Sequence, residues 1–492
     1  MWEKEFMIKP IISAAQAAKL VESGWTITTG GFGSCGHPEA LTRALKERFF
    51  EMGSPRDLSL VFAAGQGDKG ERGLNQLAYK GLLRKVIGGY WALTPRLGKM
   101  AQQGLIEAYN WPQGVISHLF RAIAGGKPGV ITPIGLDTFI DPRHGGGKLN
   151  GQTHDDLIEV ISLHGKEQLF YPSFPIHCAF LRGTIADEEG NVSMESEASF
   201  QDNLAQAQAV RNSGGIVIVQ VLKVVPSGSL PAHDIRIPGI LVDYLVVVEE
   251  NDHWQTYGER FNSLFTGSGQ VIKQNDEKPV CLNAKKIIAR RAYLETLKYK
   301  NAVINLGIGT PEYISRVAIE EGKSNFTLTV ESGAIGGYPA GSLSFGASIN
   351  PRAILEQSAQ FDFYDGGGID IAFLGFGEVD RNGNVNVNKL GKKINGIGGF
   401  INISQSSQHL IFCGTFTANG LEIICNNGEL KIAREGAIRK FVDKVRQINF
   451  NARCRYVQKK HVTYITERAV FELIEGKITL TEIAPGIDLE KD

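Results

Sequence analysis

The chain has 492 residues, of which 42% are hydrophobic and 21% are charged, and its 52 basic residues balance its 52 acidic ones. At roughly 100–200 residues per domain, this length predicts two to four domains. The zero net charge argues against nucleic acid or an acidic membrane surface as the main partner, because both require a basic surface. The longest apolar runs are also far shorter than the roughly 20 residues that span a bilayer.

Neither the cysteines nor the histidines show the spacing of a metal site. The six cysteines are scattered without a Cys-x-x-Cys pair, and the ten histidines are isolated. We therefore predict no metal. Scattered thiols are typical of a reducing compartment, and residues 1–6 lack the basic and apolar regions of a signal peptide. Together these features predict a cytoplasmic protein.

The first elements along the chain are a helix over residues 11–21, with Ser13 as its N-cap, and a strand over residues 25–29. The glycine-rich stretch 30–38 follows, and its last residue, Pro38, opens a second helix. The same order of helix, strand, glycine turn and helix returns in the second half, in residues 284–298, 302–306, 307–311 and 312 onward.

This weak repeat predicts two related open α/β domains, residues 1–265 and 280–492, with a polar linker region at residues 249–278. Continuous apolar runs predict strands buried on both faces of mainly parallel sheets; examples are residues 216–221, 369–374 and 410–413. Ligands bind at the carboxyl ends of the strands in such sheets, so candidate chemistry is expected there.

One carboxylate stands at such a strand end. Residues 326–330 form a predicted strand, Glu331 follows directly, and three glycines lie within the next six residues. A glutamate in this place can act as a covalent nucleophile or carry a proton. The spacing is equally compatible with an exposed glutamate that caps a helix or turn, so the pattern by itself leaves both interpretations open.

A resemblance to a known family decides between them. Residues 330–337 (VESGAIGG) resemble the active-site signature of family I CoA-transferases, in which a glutamate follows a strand and precedes a glycine-bearing loop. Four other segments match the family in kind and order, namely residues 30–38 (GGFGSCGHP), 110–114 (NWPQG), 305–311 (NLGIGTP) and 395–399 (NGIGG). Ordered motifs along essentially the whole chain are far more specific than one Gly-x-Gly turn.

Two segments indicate the branch of the family. Residues 138–143 (TFIDPR) and 147–150 (GKLN) are similar to the fused single-chain acetate or propionate CoA-transferases, which are related to succinyl-CoA:3-oxoacid CoA-transferase. Relatives of this branch carry a further segment after the equivalent of residues 483–488. We expect that difference to affect interface packing more than chemistry.

The resemblance implies a CoA-transferase fold and a ping-pong transfer of CoA from a short-chain acyl-CoA to a carboxylic acid, through a glutamyl-CoA thioester at Glu331. It also implies that the side-chain amide of Gln113 and the backbone N–H group of Gly399 stabilise the tetrahedral oxyanions. Coenzyme A is then the substrate, without a permanently bound cofactor. It is expected near a turn and a second loop, at Gly307, Ile308, Gly309, Thr310, Pro311, Asn395 and Gly399.

Further expectations concern the partners. The resemblance implies a homotetramer or homodimer that acts on acyl-CoA and short-chain carboxylates, with no nucleic acid or membrane partner. Lys148, beside the glycine cluster 145–147, is a hypothesis for a contact with the nucleotide phosphates. Acetate, propionate, butyrate, lactate and acetoacetate are all compatible with the sequence.

Three other functions fit parts of the sequence. A CoA-ester hydrolase would share Glu331 but admit water to the intermediate. A non-catalytic ligand sensor would share the α/β architecture, although the sequence shows neither a DNA-binding helical module nor a basic face. A nicotinamide dehydrogenase would use residues 31–36 as Gly-x-Gly-x-x-Gly, yet the following strand, residues 58–63, is not followed by the acidic residue that binds a ribose.

Overall fold

The structure is a computed structural model that describes residues 8–268, 280–322, 325–454 and 460–492. Residues 1–6, on which the signal-peptide argument rests, and the end of the predicted linker, residues 269–278, lie outside the described residues. Among the helices of the described ranges, none is both long enough and apolar enough to cross a membrane.

The first half is built on a seven-stranded sheet in which every neighbouring pair is parallel. The spatial order is β7-β6-β5-β1-β2-β3-β4. Strands β2 and β5 are buried along their whole length, because helices cover both faces of a parallel sheet. The strands are β1 Thr26–Thr29, β2 Leu58–Phe62, β3 Leu83–Gly88, β4 Glu107–Asn110, β5 Cys178–Arg182, β6 Ile216–Val221 and β7 Tyr244–Val247.

The second half is built on a nine-stranded sheet with the order β11-β10-β9-β8-β12-β13-β14-β15-β16. Its five central strands are parallel, and antiparallel strands extend it on both sides. The predicted mainly parallel α/β architecture is therefore confirmed. The strands are β8 Ala302–Leu306, β9 Phe326–Thr329, β10 Ala334–Ile335, β11 Ala353–Ile354, β12 Ile371–Gly375, β13 His409–Cys413, β14 His461–Ile465, β15 Ala469–Ile474 and β16 Lys477–Ile483.

The helices begin close to the predicted positions. Ser13 caps the first helix as expected, through reciprocal hydrogen bonds with Gln16 of 3.1 and 2.9 Å. That helix is shorter than predicted, because Ile11 bridges to β7 instead of entering the helix. The helices are α1 Ala14–Lys19, α2 Glu39–Met52, α3 Pro95–Gln102, α4 Gln113–Ala124, α5 Asn203–Asn212, α6 Ala284–Thr296, α7 Tyr313–Glu320, α8 Gln357–Asp365 and α9 Phe400–Ser406.

Smaller elements decorate the two sheets. A four-stranded sheet has the order Lys223–Val225, Ile185–Asp187, Val192–Ser193 and Ile235–Ile237, and a three-stranded sheet the order Gly129–Thr132, Lys166–Pro172 and Glu159–Leu163. A second three-stranded sheet joins Val385–Asn386, Glu378–Asp380 and Phe441–Val442. Four strand pairs complete the set: Tyr338–Pro339 with Ser348–Ile349, Lys389–Leu390 with Lys393–Ile394, Thr417–Ala418 with Ile438–Arg439, and Glu422–Asn426 with Glu429–Arg434.

The described part of the predicted linker is not a free connection. Gln255 and Thr256 are buried. The Tyr257 backbone N–H group donates to the Ser34 carbonyl at 2.9 Å, and the next residue, Gly258, donates to the Leu343 carbonyl at 2.9 Å. Residues 257 and 258 therefore bind to both halves of the chain through their backbone, so this part of the predicted linker is packed against them.

The two halves also share a hydrophobic core. One cluster of buried side chains contains Val115 and Leu119 from α4 together with Phe361 and Tyr364 from α8. Helix α4 belongs to the first half and α8 to the second, so their packing fixes the relative position of the two sheets.

A buried polar cluster lies inside this interface. The Ser117 hydroxyl of α4 donates to the Asp202 carboxylate, at 2.8 Å from its nearer oxygen. The Gln357 side-chain amide of α8 donates to both partners, at 2.5 Å from Ser117 Oγ and 2.7 Å from Asp202 Oδ2. Because buried polar groups are costly when unpaired, these three side chains fix α4 against the second half.

We expect Ser117→Ala to lower the free energy of unfolding by about 1–3 kcal/mol, because the buried Asp202 carboxylate loses a hydrogen-bond donor. Urea denaturation followed by tryptophan fluorescence measures this change. Ser213→Ala is the matched control: its hydroxyl donates to the Ala209 carbonyl within one helix end, and we expect a change within about 0.5 kcal/mol. Equal effects of the two substitutions would contradict the role given to the cluster.

Candidate active site

A cleft of about 590 Å³ lies between the two halves. Residues that follow strands of both sheets line it: Ala64 after β2, Tyr90 after β3 and Gln113 after β4 on one side, Ile308 after β8 and Glu331 after β9 on the other. The carboxyl ends of the two sets of parallel strands therefore face each other, which is where ligand sites form in such sheets.

Most of the residues predicted from the sequence meet in this cleft. Six of them line it: Gln113, Gly307, Ile308, Glu331, Asn395 and Gly399. The other three continue the turn that follows β8 and are not among the residues that line the cleft: Gly309, Thr310 and Pro311. The site thus draws Gln113 from the first half and the remaining residues from the second.

The turn after β9 aims Glu331 into the cleft. The Val330 and Ala334 backbones pair across the turn, with an N–H to carbonyl distance of 2.8 Å. Gly333 has φ of +115°, and a Cβ atom there would lie 2.0 Å from the Leu355 carbonyl oxygen. Only glycine fits this close approach, so the sequence of the turn determines where the carboxylate points.

The environment of Glu331 raises the pKa of its carboxyl group into the neutral range. Burial raises the pKa of Glu331 to about 7, while the Gly399 backbone N–H group and the Gln113 side-chain amide lower it in part. Both donors are neutral. A carboxylate that is poorly solvated and lacks a counter-ion is a stronger nucleophile than one in water, and pKa values shifted in this way are typical of functional sites.

Gln113 carries a donor that the protein itself does not fully use. It is the first residue of α4, and its backbone N–H group donates to the Gly398 carbonyl at 2.9 Å. Its side-chain nitrogen is buried and makes no hydrogen bond of standard geometry with the described residues, although it lies close enough to Glu331 to lower its pKa. Such a buried donor is available to an oxygen that develops charge near the carboxylate.

Gly399 approaches the carboxylate so closely that no side chain fits there. A Cβ atom at this position would lie 2.9 Å from Glu331 Oε2 and 3.1 Å from Cζ of Phe361. Besides the bond from Gln113 to Gly398, three hydrogen bonds join the loop that carries Gly399 to the first half: Trp91 N–H to the Asn395 carbonyl at 2.7 Å, Ile397 N–H to Asn110 Oδ1 at 3.0 Å, and Gly398 N–H to the Gly89 carbonyl at 3.0 Å.

The turn formed by residues 307–311 differs from a phosphate cradle. Burial raises the pKa of Glu312, and the Gly309 backbone N–H group, which donates to that carboxylate, lowers it in part. The Gly309 N–H group is therefore directed toward the protein's own carboxylate. Ile308, which is 43% exposed, instead offers the cleft an apolar surface.

Several residues that line the cleft are absent from the sequence-based prediction. Tyr90 directly faces the site, since the charge of Glu331 contributes to raising its pKa, after the larger effect of burial. Tyr90 follows the carboxyl end of β3, so the rule that identifies Glu331 also indicates this tyrosine. Phe345 and Lys69 lie on loops and Lys393 begins a two-residue strand, and the sequence carries no comparable signal for any of the three.

The predicted phosphate contact and one cluster of possible metal ligands both lie outside the cleft. Lys148 does not line the cleft, and its Nζ atom lies 2.6 Å from the Asp156 carboxylate. Asp137, Asp141 and His144 have the mutual spacing of metal ligands, but Arg143 already donates to Asp141 at 2.7 Å. Among the described residues, those that line the cleft include no histidine, cysteine or aspartate.

The chain is similar to known proteins in sequence and in structure. Residues 11–248 match the sequence profile of the family described as Coenzyme A transferase. The chain is 43% identical to the acetate CoA-transferase YdiF of Escherichia coli strain K12, over 98% of this chain and 91% of that protein. It is 42% identical to the caffeate CoA-transferase of Acetobacterium woodii, over 98% of this chain and 92% of that protein.

The structure is similar to that of the same E. coli protein. It superimposes on a crystal structure of the acyl-CoA transferase YdiF from Escherichia coli O157:H7, described as a thioester complex with CoA, with a TM-score of 0.92 and 42% identity. The match covers 99% of this chain and 92% of that chain. A more distant relative, at 26% identity over 96% of this chain and 86% of that protein, is a mouse mitochondrial succinyl-CoA:3-ketoacid coenzyme A transferase.

We expect Glu331 to titrate near pH 7, because burial disfavours its charged form. A diazo reagent esterifies protonated carboxyl groups, so peptide mass spectrometry of protein labelled at a series of pH values measures this titration. Asp362 serves as an internal reference, since His118 and Arg121 hold its pKa below the usual range. Labelling of Glu331 and Asp362 over the same pH range would contradict the environment described for Glu331.

Proposed function

The chain belongs to the coenzyme A transferase family, and we propose that Glu331 is the nucleophile with which it moves CoA from a short-chain acyl-CoA to a carboxylic acid. The observation that carries this proposal is the position of the Glu331 carboxylate, which faces two neutral donors at the junction of the two sheets. The CoA thioester complex of the YdiF relative supports a thioester intermediate.

The reaction begins with the ionised carboxylate. A Glu331 oxygen attacks the thioester carbonyl carbon of the acyl-CoA, the C–S bond breaks, and CoA leaves as a thiolate with the electron pair. The product is a mixed anhydride between the acyl group and Glu331. The thiolate then attacks the Glu331 carbonyl carbon, the first carboxylic acid leaves as its carboxylate, and a glutamyl-CoA thioester remains. A second carboxylate reverses these steps and leaves as the new acyl-CoA.

Each step passes through a tetrahedral oxyanion next to Glu331. The buried side-chain nitrogen of Gln113 and the backbone N–H group of Gly399 are donors of the required kind, and they approach from opposite halves of the chain. Donors held in place before the reaction stabilise the developing charge without the cost of reorganisation. We therefore assign the oxyanion contacts to these two groups.

Coenzyme A is proposed to lie along the second half of the cleft. Gly307, Ile308 and Asn395 line that side, and Gly309, Thr310 and Pro311 complete the turn beside it. The apolar surface of Ile308 and the direction of the Gly309 N–H group toward Glu312 favour contacts with the pantetheine arm over contacts with a phosphate.

The remaining proposals concern the whole protein. We propose residues 1–265 and 280–492 as its two domains, since each large sheet draws its strands from one of these ranges. We also propose a homotetramer or homodimer, a cytoplasmic location and the absence of a resident cofactor. The cysteines of the described residues form no disulfide, which supports a reducing compartment.

We expect a glutamyl-CoA thioester to form at Glu331 when the protein is incubated with acetyl-CoA. Borohydride reduces such a thioester to an alcohol, and mass spectrometry of the peptides locates the reduced residue. The Glu331→Gln protein should show no reduction and no transfer of CoA from acetyl-CoA to propionate. Reduction at another residue would overturn the assignment.

Glu356→Gln is the matched control for that experiment. Burial raises the pKa of Glu356 too, but this residue does not line the cleft. The control variant should form the thioester and transfer CoA like the unaltered protein. Continued release of free acetate and free CoA, beyond one equivalent per Glu331 and in the absence of any acceptor acid, would instead favour the hydrolase.

We expect Gly399→Ala to lower kcat/KM for CoA transfer by about 100-fold, because the added Cβ atom displaces the Glu331 carboxylate from its working position. Gly151→Ala is the control. A Cβ atom there meets no other atom within 4 Å, so its kcat/KM should be unchanged. Normal turnover of Gly399→Ala would show that the close approach of Gly399 to the carboxylate has no part in catalysis.

A further inference from the structure

The cleft has a mouth and a closed end. The exposed residues among those that line it are Lys69, Pro95, Ile308 and Lys393, and solvent reaches the cleft among these side chains. At the other extreme Phe32 is 1% exposed and Ala64 is 2% exposed. A molecule as large as CoA has to extend through the mouth, so the closed end is left for the acyl group.

Two phenylalanine rings, one from each half of the chain, stand at this closed end. Phe32 lies in the glycine-rich stretch after β1, and Phe345 lies in the loop that follows the Tyr338–Pro339 strand. Their ring centroids are 5.7 Å apart with an interplanar angle of 37°. Phe345 is half-buried and Phe32 is fully buried, and both line the cleft.

Short hydrogen bonds connect these rings to the Glu331 segment. The hydroxyl of Ser332, the residue after Glu331, donates to the Gly346 carbonyl at 2.6 Å. The carbonyl of Phe345 accepts from the Ser34 backbone N–H group at 2.9 Å. The residue after Phe345 is thus hydrogen-bonded to the residue after Glu331, and the loop that carries Phe345 is hydrogen-bonded to the stretch that carries Phe32. The two rings and the carboxylate are therefore held in fixed relative positions.

The backbone of the neighbouring glycines packs closely against both rings. A Cβ atom at Gly33 would lie 2.8 Å from Cδ1 of Phe345, and one at Gly346 would lie 2.7 Å from Cδ1 of Phe32. Close packing of this kind resists displacement, so an acyl chain that is too long meets a wall and cannot push the rings aside.

The closed end also lacks charge. Phe32, Ala64 and Phe345 are apolar, and the groups that set the pKa of Glu331 are neutral. A second carboxylate on the acid would lose its hydration against aromatic surface without gaining a cation. Burying an unpaired charge in this way is strongly unfavourable.

We propose that Phe32 and Phe345 form the end wall of the acyl pocket and that Phe345 sets the longest acyl chain that Glu331 can accept. This rests on the proposed function of Glu331. The acids that fit are monocarboxylic acids with a short apolar chain, and dicarboxylic acids are rejected. Phe345 contributes through its size, since the ring contains no group that takes part in the chemistry.

Acceptor profiles of graded variants test this proposal. With acetyl-CoA as donor, kcat/KM is measured for propionate, butyrate, hexanoate and succinate by chromatography of the acyl-CoA products. Phe345→Ala should raise the ratio of hexanoate to propionate by at least about tenfold, because the pocket gains the room of several methylene groups. Phe345→Leu should lie between this variant and the unaltered protein, and succinate should remain the poorest acceptor throughout.

A variant with a smaller pocket shows whether the effect of Phe345→Ala comes from pocket size or from a disturbed fold. Ala64→Val adds methyl groups at the closed end and should lower the ratio of hexanoate to propionate. Phe50→Ala is the matched control: Phe50 is 60% exposed on α2, and its removal should leave the ratio unchanged. A ratio that responds neither to Phe345 nor to Ala64 would overturn the end wall.

Borohydride trapping of the thioester distinguishes a failure of the proposed function of Glu331 from a failure of the proposed acyl pocket. If no thioester forms at Glu331 with acetyl-CoA, the proposed function itself fails. If the thioester forms but succinate is accepted as readily as butyrate, or the Phe345 variants keep the original acceptor profile, the function stands and the acyl pocket is wrongly placed.

Discussion

The structure depends on one costly feature, a carboxylate that is half-buried at the cleft and whose pKa is set by burial without help from a cation of the described residues. Burying a charge without a partner is unfavourable by several kcal/mol, and here the pKa of Glu331 is raised to about 7. The protein offsets part of that cost with the Gly399 backbone N–H group and the Gln113 amide. A cation in their place would stabilise the ionised carboxylate before the reaction and so weaken it as a nucleophile, whereas neutral donors stabilise each oxyanion that follows.

This requirement explains why the site is shared between the two halves. Glu331 and Gly399 come from the second half and Gln113 from the first, so the distance between nucleophile and donor is a property of the interface. Several hydrogen bonds across the interface fix the relative position of the two halves. The loop of residues 395–399 hydrogen bonds to the first half, and Ser117 links α4 to the second half through a buried polar cluster. Small displacements of reacting groups cost large factors in rate, which makes this rigidity functional.

The sequence predicts the parts of this arrangement that are local. Apolar runs identify buried parallel strands, Ser13 identifies a helix start, and the strand end before Glu331 identifies a possible site. It fails where the outcome depends on contacts between distant residues. Gln255 and Thr256 are polar yet buried, and the backbone N–H groups of the next two residues donate to the carbonyls of Ser34 and Leu343. The family resemblance supplies Gln113 and Gly399, which local patterns do not identify.

Substrate choice also depends on the interface between the two halves. Phe32 and Phe345 meet across the interface that also sets the geometry of Glu331, so pocket size and nucleophile position are mechanically linked. Residues in one contact network do not contribute additively. A substitution of Phe345 therefore changes more than the volume available to the acid. The loop that carries Phe345 also binds Ser332, the residue next to Glu331. Acids of different length are best compared as ratios within one variant, because a common loss of nucleophile alignment cancels in the ratio while a change of pocket shape does not.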